Sequence, residues 1–194
     1  MNPTFRISTN QADGLLSYNK METDVDSFEI KSNDIVSVLN IALAEYQNIC
    51  SDQIIDMTLL NLAESNQVHF DAKRIKQTFF RILDHLYHFA PENKKIFVVY
   101  KSSTISYEKP GHSKLDLPSV RFIFAKLSEE IPEYSIEITL DRFLLKYKGQ
   151  SKPLINDIDL LFYENVIKAH RGEFNQIYIP NKGILFEIYL PQKK

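Results

Sequence analysis

The stretch from Phe70 to Pro91 constrains this chain more than any other. Ile75, Phe79, Ile82, Leu83, Leu86 and Ala90 recur at helical spacing and make one apolar stripe. Asp71 stands where an N-cap belongs, with a carboxylate that accepts from the free amides of a first turn. Pro91 ends the run, because the residue before a proline is pushed out of the helical region. A helix of this length with one strongly apolar face has to lie on a sheet or on other helices.

The flanking segments supply that sheet. Ser27–Lys31 alternates like a strand, and Asn33 is placed to cap a helix from Asp34 to Ile49 with Ile35, Val38, Leu39, Ala42 and Tyr46 on one face. Ile54–Asn61 and Gln67–Phe70 read as strands joined through the turn-forming Glu64-Ser65-Asn66. Lys95–Ser103 is β-rich, Tyr107–Leu117 is a loop or hairpin tip, and Val120–Ala125 is apolar on both faces, as in the middle of a sheet. Asp157–Gly172 follows helical spacing, with Ile158, Leu161, Phe162, Asn165, Val166 and Ala169 as its buried stripe and Gly172 as a left-handed exit. Glu173–Ile179 and Ile184–Leu190 form a hairpin across Pro180-Asn181-Lys182-Gly183. Phe79, Phe80, Phe89, Phe122, Phe124, Phe143, Phe162 and Phe186 are expected in the core. These segments imply an α+β chain: a two-layer α/β sandwich whose mixed, mostly antiparallel sheet carries about three helices on one face.

Composition narrows the function classes. The 194 residues suit one domain, 26–194, preceded by a tail or short helix, 1–25. A net charge of −2 sets up no field for nucleic acid or an anionic membrane surface. Cys50 is the single cysteine, which excludes an internal disulfide or a cysteine-based zinc site. No apolar run reaches the roughly 20 residues of a membrane span, and Met1–Asn10 lacks the apolar region of a signal peptide, so a cytoplasmic location is expected.

The order of elements resembles the ATP-binding domain of sensor histidine kinases, the fold shared with gyrase B and MutL. In that family the long helix ends in Asn-Leu-Leu-x-Asn-Ala-x-Lys-Phe-Thr-Pro; here the same register reads Arg81-Ile82-Leu83-Asp84-His85-Leu86-Tyr87-His88-Phe89-Ala90-Pro91. The apolar skeleton is kept. The asparagine that holds magnesium falls on His85, beside Asp84, and the lysine falls on His88. The family's Asp-x-Gly-x-Gly-Ile-Pro, whose aspartate accepts from the adenine amino group, aligns with Lys126-Leu127-Ser128-Glu129-Glu130-Ile131-Pro132. Lys126 donates where an acceptor is needed, and Ser128 and Glu130 replace glycines whose bare backbone passes close to the nucleotide. Asp157 and Asp159 replace the phosphate-cradling glycines before the next helix, which closes in His170-Arg171-Gly172 much as the family does in His-Gly-Gly. A carboxylate about 5 Å from a phosphate costs about 3 kcal/mol at an effective dielectric near 20. Several such pairs outweigh micromolar binding, worth about 8 kcal/mol.

The resemblance therefore implies a retained scaffold with a degenerate ATP site, no cofactor, and a non-catalytic signalling module whose partner is a response regulator or another histidine kinase. Leu15–Glu22 resembles the end of the family's dimerisation hairpin, which implies homodimer contacts through Gln11–Met21. That hairpin's phosphoacceptor helix is expected to be missing, since no histidine precedes His69. Two alternatives stay open: a working kinase domain that binds ATP and magnesium, and a phosphotransferase using His85 next to Asp84. His85 and His88 lie at tolerable metal spacing but without further ligands nearby, so no metal is expected. His170 reads as a helix C-terminal residue favoured by the dipole, and Asp157 and Asp159 double as helix-capping residues. Phe143-Leu144-Leu145 lies where the family has a mobile lid.

Overall fold

The computed structural model describes residues 28–49, 56–89, 95–107, 115–150 and 158–192, with the backbone alone at Phe89, Tyr107 and 158–160. Expectations for 1–27, Cys50, Ile54, Ile55, Ala90, Pro91 and Asp157, and for the side chains of Phe89, Ile158 and Asp159, lie outside the described residues. The elements run β1 (Lys31–Asp34), α1 (Ile35–Ile49), β2 (Met57–Leu62), β3 (Gln67–Phe70), α2 (Ala72–Phe89), β4 (Ile96–Tyr107), β5 (Leu115–Leu127), α3 (Ile136–Tyr147), α4 (Ile158–Ala169), β6 (Glu173–Ile179) and β7 (Gly183–Pro191). Five strands form one sheet in the order β2-β4-β5-β7-β6. β2 runs parallel to β4 and the other pairs are antiparallel.

Alternation along the central strands sorts side chains onto two faces. Val98, Tyr100, Phe122, Phe124, Phe186 and Ile188 meet α1, α2 and α4 in the main core. Phe97, Val99, Ile123, Ala125 and Leu185 point the other way, against Ile136, Leu140, Phe143 and Leu144 of α3. The expected three helices cover one face, and a fourth covers part of the second. This is why Val120–Ala125 is apolar without alternation: β5 is central, with a helix layer on either side. The lid position Phe143-Leu144-Leu145 is part of that fourth helix, in which Phe143 and Leu144 are buried.

The long helix is capped as anticipated: the Arg74 amide donates to Asp71 Oδ1 at 3.0 Å. Ile75, Phe79, Ile82, Leu83 and Leu86 are fully buried. Phe79 sits between Phe122 and Phe124, with ring centroids 5.0 and 5.2 Å away.

Several boundaries differ from the sequence reading. β1 starts at Lys31, because Phe28–Ile30 is held by a tight turn and by the Glu29 amide donating to Asp71 Oδ2 at 3.0 Å. The cap of α1 is Asp34, whose Oδ1 accepts from the Ser37 amide at 2.9 Å; Asn33 instead donates to the Phe70 carbonyl at 2.9 Å. β2 and β3 are not a hairpin. β3 pairs with β1 in a separate two-stranded sheet, and the connecting loop is pinned from β4, where Tyr100 Oη donates to the Ser65 carbonyl at 2.7 Å. β4 and β5 run on to a Tyr107–Leu115 pairing, so the hairpin tip is shorter than expected.

α4 is rotated by about one residue from the stripe read in the sequence. Phe162, Tyr163, Val166, Ile167 and His170 face inward, whereas Leu161 and Ala169 are exposed. Two polar-tipped residues, Tyr163 and His170, occupy core positions, so the apolar pattern alone points the wrong way. The exit of α4 is a Schellman turn in which Gly172 N–H donates to Ile167 O at 2.9 Å and Arg171 N–H to Lys168 O at 2.8 Å. The left-handed residue is Arg171, at φ 56°, not Gly172. Gly172 is needed for space: a Cβ there would strike the Tyr189 carbonyl and come within 2.8 Å of Ile167 Cγ2.

Candidate functional site

The positions that align in sequence with the family's nucleotide motifs lie in the last turns of α2, at the end of β5 and about the start of α4. His85 projects inward from α2 and is 5% exposed. Its Nδ1 lies 3.1 Å from Tyr163 Oη, and its ring sits edge-on to Tyr163 and Phe186. Buried between three elements, it is a core histidine, out of reach of an incoming phosphoryl group. Asp84 and His88 belong to the outer flank of the same helix. Asp84 Oδ1 accepts from Tyr46 Oη at 3.4 Å and lies 3.3 Å from His88 Nε2, and both side chains are largely solvated. The structure thus separates His85 from His88, and no group of three metal-ligating side chains occurs among the described residues.

Lys126 is at the end of β5 and is 6% exposed. Its position on the strand directs it to the α2 side. Nζ lies 3.5 Å from the Tyr87 carbonyl and 6.0 Å from the centre of the Tyr87 ring. Burial lowers the pKa of this ammonium from its ordinary value. A cation next to a carbonyl of the last helical turn complements the dipole of α2.

Ser128 and Glu130, in the glycine positions, are exposed. The Ser128 amide and Oγ both donate to the Lys182 carbonyl, at 2.9 and 3.0 Å, tying the end of β5 to the β6–β7 turn. Asp159 lies in the first turn of α4. The site therefore brings His85 and Lys126 into the protein, leaves Asp84, His88, Ser128 and Glu130 at the surface, and contains no glycine among its described residues.

His170 departs from the dipole reading. It is 4% exposed, its Nδ1–H donates to the Val166 carbonyl at 2.6 Å, and its Nε2 accepts from the Asp71 amide at 2.9 Å. Accepting at Nε2 requires the neutral ring. Burial lowers its pKa, more than the Val166 carbonyl and the Asp71 carboxylate raise it.

The opposite face of the sheet holds a network that the sequence reading missed. Arg121 donates to Glu187 Oε1 at 2.7 Å and to Asp141 Oδ1 at 2.7 Å, and Lys101 bridges Glu137 and Asp141 at 2.8 and 3.0 Å. Burial pushes the Asp141 carboxyl up, but the hydrogen bonds and charges of Lys101 and Arg121 prevail and hold it below its ordinary range. The signal was an arginine inside an otherwise apolar strand. Beside this network lies a cleft of about 640 Å³ between α3 and β6–β7, on the face away from His85.

The architecture is that of the catalytic domains of histidine kinases: a mixed five-stranded sheet with its helical layer and its long helix. Three particular structures show the extent. The nucleotide-free catalytic domain of the histidine kinase ThkA superposes with a TM-score of 0.54 at 15% identity, over 85% of this chain and 97% of that one. The cytoplasmic segment of the histidine kinase QseC gives 0.60 at 10% identity, over 97% and 98%. ThkA solved in complex with the response regulator TrrA gives 0.60 at 15% identity, over 99% of this chain and 53% of that one. No protein-family model matches the chain, and no curated protein does.

Proposed function

We propose that this chain is a histidine-kinase-type domain that has lost its nucleotide site and acts as a non-catalytic, protein-binding module in two-component-type signalling. The observation that carries the reading is Lys126: a buried ammonium next to the Tyr87 carbonyl, in the position of the family's adenine-recognising aspartate. Regaining an adenine site would require moving a desolvated cation and opening the backbone at Ser128 and Glu130. Neither ATP nor magnesium has a role in this reading. The working unit is 26–194, located in the cytoplasm, and Gln11–Met21 contributes homodimer contacts. The partner is a response regulator or a second histidine kinase; the ThkA structure solved with a response regulator supports the first. The burial of His85 weighs against a phosphotransferase built on that residue.

The test is calorimetric titration of the full chain with magnesium-ATP and, as a charge-matched control, magnesium-tripolyphosphate. The reading expects ATP to bind no better than tripolyphosphate. Saturable micromolar binding that requires the adenosine moiety overturns it.

A further inference from the structure

The second face of the sheet treats its cations in two ways. On one flank of α3 they are neutralised: Lys101 pairs with Glu137 and Asp141, and Arg121 with Asp141 and Glu187. On the other flank they are not. Arg142 and Lys146 stand one helical turn apart, and Lys182 of the β6–β7 turn faces them across a cleft of about 490 Å³. None of the three has a carboxylate oxygen within 4.0 Å among the described residues, although Glu129 lies on the same wall. Like charges at this helical spacing repel, so the arrangement is unrelieved in the chain by itself.

We propose that this cleft, between the outer flank of α3 and the β6–β7 turn, is a binding site for a small phosphate-bearing anion carrying more than one phosphoryl group. Three cations lining one cleft against a single carboxylate favour an anion. Arg142 supplies a planar fork that matches phosphate oxygens, and the two lysines add point charges. The volume falls in the range of small-molecule sites and leaves room for more than one phosphoryl group. The Thr139 hydroxyl adds a donor on the helix side, and Tyr147 an aromatic wall. The turn that presents Lys182 is fixed, because its carbonyl accepts both the amide and the hydroxyl of Ser128. Ser128 thus acquires a purpose as the brace of a cationic wall. The cleft lies on the α3 side of the sheet, away from Lys126 and His85, and shares with the aligned nucleotide motif only the segment at Ser128 and Glu129.

The test is titration of the full chain with pyrophosphate at low salt, followed by calorimetry, for the parent and for R142Q, K182Q and K73Q. Lys73 is an exposed cation of α2, and its replacement makes the same change in net charge. The expected result is saturable one-to-one binding that weakens about tenfold or more in R142Q and in K182Q and is unchanged in K73Q. Parent and variants should melt at the same temperature in anion-free buffer, since all three side chains are solvated. Absence of saturable binding, or equal weakening by K73Q, overturns the proposal. An adenosine requirement in the ATP titration would contradict the lost nucleotide site and leave this cleft unaffected.

Discussion

Replacing Asp71 tests how the long helix is tied to the start of the described chain. The side chain is 7% exposed and makes two bonds through different oxygens, to the Arg74 amide at 3.0 Å and to the Glu29 amide at 3.0 Å. Its own amide donates to His170 Nε2, a bond that every substitution except proline retains. Asp71→Ala removes the N-cap, worth about 1 kcal/mol. It also removes a charge-assisted bond worth about 1.5–3 kcal/mol, discounted to roughly 1–2 because Glu29 is exposed and its amide can turn to water. The sum is about 2–3 kcal/mol, or a fall in melting temperature of roughly 4–12 °C for a chain of this size. Asp71→Asn keeps one acceptor and presents an NH2 group to the second amide, so it should lose about half as much. Thermal melting at pH 7 measures both, and hydrogen exchange at the Glu29 amide should accelerate in each. An Asp71→Ala protein within about 0.5 kcal/mol of the parent, with Glu29 exchange unchanged, would refute the reasoning.

Phe79→Ala opens a cavity between Phe122 and Phe124 and should cost about 3–5 kcal/mol in denaturant unfolding; an unchanged midpoint would mean the helix faces elsewhere. Gly172→Ala should cost about 1–3 kcal/mol, because its Cβ meets the Tyr189 carbonyl and Ile167 and the turn has to shift. For His170 the folded pKa is below the unfolded one, so the unfolded chain binds the proton first. Its share of stability is present above the ordinary histidine value near 6.5 and is lost as pH falls through the folded value. A stability–pH profile should therefore decline from about pH 6.5 downward, and His170→Gln should flatten that limb.

The legible part of the fold was the part set by periodicity and capping. Ile75 through Leu86, the Asp71 cap and the two-sided apolar run of β5 all appear where the pattern places them. What the pattern could not supply was pairing over distance. β2 and β3 are close in sequence and read as strands joined by a turn, but a parallel partner 39 residues further along the chain, Ile96 opposite Met57, is not written locally; it follows from β4 offering an open edge and Tyr100 pinning the loop. α4 was misread because Tyr163 and His170 carry polar tips that are satisfied internally, by His85 and by Val166 and Asp71. The elements that carry Lys126 and His85, the end of β5 and the long helix α2, were legible in the sequence. The burial of these two side chains was not, because it depends on which strand face and which helix flank meets the core. The cations Arg142, Lys146 and Lys182 gave no sequence signal, being brought together by the fold across the end of the sheet.

The central claim is that buried side chains now occupy the ground a nucleotide would need. The most direct measurement is a crystal structure of the full chain grown with magnesium and a non-hydrolysable ATP analogue. The account predicts Lys126 against the Tyr87 carbonyl and His85 against Tyr163, with no adenine ring between α2 and the start of α4. An adenine ring bound there, with Lys126 displaced toward solvent, would contradict it.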